Sequence, residues 1–267
     1  MGWKETDKRL IRRGELILDI GSLKNNEEEL KNMNKHKRGP HFKLANSYIT
    51  LLATVRYLYQ MPYRQLQGFT HTLHGLVPAL PPGDYSGLRK RILRLDLSPY
   101  RHLQESDEPV AISLDSTGVK VHKAGGWVER VHGKKSRYVK LHFAVNTETH
   151  EVVAMTVSTD DAHDVKAFPG LIEGAEKRVR VAKVFGDGAY DSGDVYDLLE
   201  AKGVEAVVKP RRNSRLDTRS PARRRAVETA YSTFKRVFGE GCMARGLVNI
   251  ASELAGKVGV YNMLVNM

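Results

Sequence analysis

The sequence predicts an α/β protein: a mixed β-sheet covered by helices on both faces, preceded by a helical N-terminal domain. Three observations carry this. Before Pro109 the apolar residues recur at helical spacing. After Pro109 the texture changes to short β-branched runs, beginning with Val110-Ala111-Ile112-Ser113-Leu114. From there the elements read β, ββ, α, β, α, β, α, α, an order that builds a sheet with helices packed against it.

Residues 1–40 are highly charged, include Asn25-Asn26-Glu27-Glu28-Glu29 and close on Gly39-Pro40. They read as a weakly packed arm. From His41 to Tyr59, Leu44, Tyr48, Leu51, Leu52, Val55, Leu58 and Tyr59 recur at three and four, which predicts a helix ended by Met61-Pro62. A short helix through Tyr63-Arg64-Gln65-Leu66 is expected to stop at Gly68. Pro78 to Gly83 breaks the chain, and Asp84 caps a basic helix from Tyr85 to Leu95. Residues 41–106 thus form a helical domain, with residues 107–267 as the second domain.

In that second domain Val110 to Leu114 is a buried strand. Tyr138 to Val145 alternates, turns at Asn146-Thr147-Glu148 and returns as Val152 to Val157, a hairpin. Asp164 to Ala175 is an amphipathic helix, Val179 to Phe185 a strand, Gly193 to Lys202 a helix and Glu205 to Val208 a short strand. Pro221 opens a helix that runs to Phe238. Asn249 to Leu264 is a last amphipathic helix.

Composition narrows the function. The 267 residues carry 43 Lys and Arg against 31 Asp and Glu, a net charge of +12. A sequence pI near 9.7 points to a polyanionic partner. The one cysteine, Cys242, excludes an intramolecular disulfide framework and a four-cysteine zinc site. The best apolar stretch, Tyr48 to Met61, is interrupted by Arg56 and Gln60 and is too short to span a bilayer. A cytoplasmic, nucleoid-associated protein without membrane attachment is expected.

Asp115 directly follows the strand Val110 to Leu114, and Asp187 follows Val184-Phe185-Gly186. Chemistry in open α/β sheets collects where strands end. A carboxylate there is costly to desolvate unless it is paired or holds a metal. The plainer reading is that each caps a turn or the next helix. Glu228 lies beside the apolar face of the helix after Pro221, with Arg224 four residues before it and Lys235 seven after, on one stripe. From Lys209 to Arg225 there are eight Lys or Arg and one acid, Asp217. Three carboxylates beside such a cationic tract are what a metal-dependent phosphodiester site requires. Hard divalent ions take oxygen ligands, two of them clamp the attacking and leaving oxygens, and cations hold the phosphates.

Leu114-Asp115-Ser116-Thr117-Gly118, Gly186-Asp187-Gly188-Ala189-Tyr190-Asp191 and Arg224-x3-Glu228-x6-Lys235 resemble the three blocks of DDE transposases of insertion-sequence families four and five. Tyr63-Arg64-Gln65-Leu66-Gln67-Gly68-Phe69 and Asp84-Tyr85-Ser86-Gly87-Leu88-Arg89 resemble the N-terminal region of family-five members. The resemblance covers residues 42–267. It implies an RNase H-like catalytic core, Mg2+ or Mn2+ as two ions, and cut-and-join chemistry on DNA ends. Asp115, Asp187 and Glu228 are then the catalytic and metal-binding acids. Arg224 and Lys235 match the Arg and Lys of the family's tyrosine–arginine–glutamate–lysine signature, whose tyrosine falls at Pro221 here. Asp187 and Glu228 are 228 − 187 = 41 residues apart, which leaves no room for the large β insertion of some family-four enzymes.

Further DNA contacts are expected from Arg211, Arg212 and Arg215, from Arg89, Lys90 and Arg91 on the basic helix, and from Lys134 and Lys135. The helix pair ending at Leu95 fits a helix-turn-helix. Trp127 reads as a hairpin aromatic or a base-stacking platform. Asp164 reads as an N-cap or, with His163, as a neighbour of the metal site. His122, His132, His142, His150 and His163 lack zinc spacing. The partners expected are the element's terminal inverted repeats and target DNA, with a homodimer acting on them. Two other readings stand beside this one. Gly186-Asp187-Gly188-x-x-Asp191 also resembles the acidic motif of haloacid-dehalogenase-like phosphatases, though Asp115-Ser116-Thr117 lacks their second aspartate. The chain also fits a catalytically inert, DNA-binding remnant of a transposase.

Overall fold

A computed structural model describes residues 8, 11, 25–94, 107–121, 137–159, 162–209, 225–244 and 246–266. The chain divides into two compact units, with the boundary at residues 97–98.

In the first unit, helices α1 (Asn26–Asn34), α2 (Asn46–Leu58), α3 (Tyr63–Leu76) and α4 (Tyr85–Arg94) pack around a small core. Residues 25–40 do not stand off as a weakly packed arm. Asn34 brackets the backbone of Phe42, accepting from its N–H at 2.8 Å and donating to its carbonyl at 3.0 Å. Glu29 accepts from the Asn46 and Ser47 N–H groups at 3.1–3.3 Å. It thereby supplies the anionic cap that Ala45, with no polar side chain, cannot give α2. Helix α2 buries Tyr48, Ile49, Leu52, Ala53, Val55 and Tyr57. Against it α4 buries Leu88 and Ile92, and α3 adds Leu66 and Thr70.

Helix α3 does not stop at Gly68 but runs on to Leu76. A mid-helix glycine costs only about 1 kcal/mol relative to alanine, which the buried Leu66 and Thr70 offset. Asp84 caps α4 as expected, accepting from the Ser86 and Gly87 N–H groups at 3.0 and 2.9 Å.

The second unit is a mixed sheet of β1 (Val110–Val121), β2 (Arg137–Asn146), β3 (Val152–Thr159), β4 (Val181–Gly186) and β5 (Glu205–Val208) in the order β3-β2-β1-β4-β5. The first three form an antiparallel meander; β4 and β5 join parallel to β1. This is the RNase H-like arrangement that the resemblance implied.

Helices α5 (Asp164–Glu176) and α6 (Gly193–Ala201) pack Phe168, Leu171, Ile172, Val195 and Leu199 onto Ile112, Leu114, Ala144, Val184 and Val208. Helix α7 (Arg225–Phe238) lies on the opposite face. There Phe143, the neighbour of Ala144 along β2, stacks on Tyr231 with ring centroids 4.6 Å apart and meets Phe234 edge-on at 5.5 Å. Successive strand residues take opposite faces, so both faces of the sheet are covered.

Helix α8 (Leu247–Val265) joins α7 on that face through Asn262, which bonds both backbone groups of Val152. The sequence suggested an amphipathic helix; the structure buries most of it, with Glu253 and Lys257 included. Those two charges fasten a strand that periodicity did not reveal, β6 (Gly241–Cys242), which pairs with Lys120 and Val121 of β1. Lys257 Nζ donates to the Gly241 carbonyl at 2.9 Å and pairs with Glu253 at 3.1 Å. Glu253 also accepts from the Met243 and Ala244 N–H groups at 3.2 and 3.0 Å. Removing one partner of a buried ion pair strands the other, at about 3–5 kcal/mol. Lys257→Met is therefore expected to lower the unfolding free energy by about 3 kcal/mol, read from the urea midpoint at constant slope. A midpoint equal to the parent's would mean the pair is worth no more than a surface one.

Candidate active site

Asp115 does not sit at the end of its strand. Ser116-Thr117-Gly118 has no β signature, yet β2 pairs with β1 as far as Val121, and Asp115 lies opposite Phe143 inside the ladder. What ends near Asp115 is the neighbour on the other edge. The last residues of β1 and β4 paired with each other are Ser113 and Phe185. Asp115 and Asp187 each lie two residues beyond that pair, which brings them side by side across adjacent strands. Adjacent strands are about 4.8 Å apart.

Local structure holds Asp187 in place. Its carboxylate accepts from the Ala189 N–H at 2.8 Å and caps a single 3-10 turn, Gly188–Tyr190. A Cβ on Gly186 would come within 3.3 Å of the Tyr190 Cβ, so glycine lets the turn fold back onto the end of β4. Tyr190 is fully buried, tilted against Phe168 at 5.9 Å, and its hydroxyl has no hydrogen-bond partner. Burial pushes that phenol far up, and the charges of Asp164, Asp115 and Asp187 add to the shift. The field of all three carboxylates is thus felt at one buried hydroxyl.

The third candidate acid, Glu228, is carried by α7. Tyr231 donates toward the carbonyls of Asp115 at 2.7 Å and Leu141 at 3.0 Å, and accepts from the Phe143 N–H at 2.9 Å. Burial first, then the charge of Asp115, keeps its phenol protonated. Glu228 is exposed and lies one turn before Tyr231, so the helix that touches the Asp115 backbone also carries the third acid. Among the described residues no three His, Cys, Asp or Glu side chains form a closed set able to hold a metal ion. The donors brought to this edge are carboxylate oxygens, the type that hard divalent cations take.

Two family models, both described as a transposase DDE domain, match residues 106–225 and residues 11–124. The chain belongs to the DDE transposases. Three solved structures are similar to it. One is the catalytic core domain of BIV integrase, 14% identical over 56% of this chain and 82% of that chain, with a TM-score of 0.35. Another is the piggyBac transposase synaptic complex with hairpin DNA, at 10% over 96% and 74%, with a TM-score of 0.41. A third is the simian T-cell lymphotropic virus intasome in complex with PP2A regulatory subunit B56 gamma, at 13% over 77% and 66%, with a TM-score of 0.36.

Asp164 does not cap the transposase's α5 as an N-cap residue would: it is the first residue of the helix, after His163. Its carboxylate accepts from Ser116 Oγ at 2.8 Å and from Lys140 Nζ at 3.2 Å. Next to this cluster His142 is buried, with Nε2 2.8 Å from Ser158 Oγ and Nδ1 without a partner. Burial holds its imidazole below the ordinary value; Asp164 opposes this and Lys140 reinforces it. The unfolded chain therefore takes up this proton first as pH falls. The stability contribution is complete above about pH 6.5 and is lost as pH drops toward the folded value. Urea midpoints are expected to fall below pH 6.5, and His142→Gln to flatten the decline. Equal slopes in parent and variant would place the effect elsewhere.

Lys235 lies two turns beyond Glu228 on α7 and is half-buried. In the first unit Arg89 and Lys90 are exposed. Arg91, expected as a DNA contact, is turned to another use. It donates to Asn46 Oδ1 at 2.8 Å and stacks over the Phe42 ring at 4.4 Å, and burial lowers its guanidinium from the ordinary value. Arg211, Arg212, Arg215, Arg224, Lys134, Lys135, Trp127 and Pro221 lie outside the described residues. Sequence reasoning passed over Tyr231 and Tyr190 as site residues. Tyr231 stands three residues after Glu228 on its helix, and Tyr190 lies inside the second acidic block; either spacing was a usable signal.

Proposed function

We propose that this DNA transposase cuts the ends of its element and joins them to target DNA, with Asp115, Asp187 and Glu228 as catalytic acids that hold two Mg2+ or Mn2+ ions. The observation that carries the reading is the shared position of Asp115 and Asp187, two residues past the same strand pair. Bound ions would polarise the scissile phosphate and activate the attacking oxygen. The chain's own residues do the positioning: Asp187 is held by the Ala189 N–H and the Asp115 backbone by Tyr231. Water is the first nucleophile, and the freed 3′-hydroxyl then attacks target DNA. No side chain becomes covalently attached.

Residues 41–106 serve as the DNA-binding domain, with Arg89 and Lys90 on backbone phosphates and Arg91 shaping the fold that presents them. Lys235, Arg224, Arg211, Arg212, Arg215, Lys134 and Lys135 contribute further phosphate contacts. A homodimer would bring two element ends together, in the cytoplasm and at the nucleoid. No helix among the described residues is long and apolar enough to cross a membrane.

The test is Asp187→Asn, assayed for Mg2+-dependent nicking of duplexes that carry the element's ends. Metal stabilisation of the transition state is worth several kcal/mol, so nicking should fall on the order of 10³-fold, with gel-shift affinity for the ends retained. Undiminished nicking would defeat the assignment. A parent protein that binds ends but never nicks them, with any divalent ion, would favour the inert remnant.

A further inference from the structure

We infer that Asp164 is a positioning residue that aims the Asp115 carboxylate by clasping Ser116, on the opposite face of β1; this rests on the proposed role of Asp115. Between Ser113, the last residue paired with β4, and Lys120, where β6 begins, no described strand lies along that edge of β1. Over this stretch the ladder holds β1 through β2. The stretch contains Asp115, whose direction the chemistry needs fixed.

Asp164 supplies a second hold. Leu114 packs with the α5 side of the sheet, and Ser116, two residues on, points the same way, so Asp115 faces the α7 side. Asp164 Oδ2 accepts from Ser116 Oγ at 2.8 Å. The Ser116 N–H in turn donates to Asp115 Oδ1 at 2.7 Å. The path from Asp164 to the catalytic carboxylate is thus one side-chain bond, one residue of backbone and one N–H.

Asp164 is itself anchored. Its Oδ1 pairs with Lys140 Nζ at 3.2 Å, and that ammonium also donates to the Ala162 carbonyl at 2.8 Å. One carboxylate therefore joins β1, β2 and the turn before α5. An acid in the first turn of α5 would favour that helix through its dipole wherever the side chain pointed. Turning it onto Ser116 and Lys140 is not needed for that purpose.

The test uses the full chain and Mn2+, with free Mn2+ followed by electron paramagnetic resonance and nicking measured on the same preparations. Groups that orient metal ligands typically change metal affinity or activity 10–100-fold. Ser116→Ala and Asp164→Asn should each raise the Mn2+ needed for half-maximal binding by about 10-fold. Saturating Mn2+ should restore nicking in both. The double variant should bind Mn2+ no more weakly than Ser116→Ala, because the bond through which Asp164 acts on Asp115 is already absent in that variant. Ser116→Ala should also stay folded without metal, with a single cooperative unfolding transition, which separates aiming from loss of structure. Parent-like Mn2+ affinity in Ser116→Ala would overturn the inference even if Asp164→Asn failed to fold. Loss of nicking in Asp164→Asn that no Mn2+ concentration recovers would also overturn it, making Asp164 a ligand. Asp115→Asn tests the site itself: nicking and Mn2+ affinity unchanged there would defeat the proposed function, and the inference with it.

Discussion

Glu228→Gln should abolish strand cleavage and leave binding to element ends intact. The substitution keeps the side chain's length and removes its charge at an exposed position on α7, so folding is not threatened. A carboxylate that shares a metal contributes several kcal/mol to stabilising the developing charge, which corresponds to a loss on the order of 10³-fold in rate. Binding should hold or rise slightly, because one negative charge no longer repels phosphate. The measurement is a gel assay on labelled ends, with Mg2+ for cleavage and Ca2+ for binding. Nicking retained at the parent rate would remove Glu228 from the site and leave Asp115 and Asp187 to find their third donor elsewhere. The same experiment addresses the phosphatase alternative, in which Asp115 is a covalent nucleophile and Glu228 a bystander.

Replacing Arg211, Arg212 and Arg215 together by alanine should weaken binding to all duplexes alike. Each phosphate contact contributes about −0.9 to the slope of log K against log salt. Three lost contacts should flatten that slope by about 2.7, with affinity at low salt falling on the order of 10²-fold. Titrations of specific and unrelated duplexes across a salt series would show it. A loss confined to one sequence would make the tract a reader of bases instead.

Much of the fold is legible in the order of residues alone. The meander, both parallel strands and α5, α6 and α8 follow from runs and periodicities that local physics enforces, such as the alternation of Tyr138 to Val145. The positions of the acids are legible for a related reason: a carboxylate just after Val184-Phe185-Gly186 must cap a turn or find another partner, and Asp187 does cap one. Where local patterns mislead, a distant partner decides the outcome. Gly68 would end an isolated helix, but α3 continues because Leu66 and Thr70, on either side of it, are buried. Glu29 and Asn34 look like solvated residues of a charged arm, and they become fasteners only because Asn46 and Phe42 come within reach. Arg91 looks like its neighbours Arg89 and Lys90, yet Phe42 and Asn46 occupy it.

The sequence by itself determined the class of this protein, the order of its main elements and the three candidate acids, because each depends on residue type at short range. Tertiary structure alone decided how those acids are presented. Pairing with β2 carries β1 past Asp115, and the register with β4 sets Asp115 beside Asp187. Tyr231 and Asp164 reach Asp115 and Ser116 across 116 and 48 residues of chain. No local propensity encodes contacts of that kind. They exist because the sheet's two faces are buried by different helices, and because a strand presents alternate residues to each.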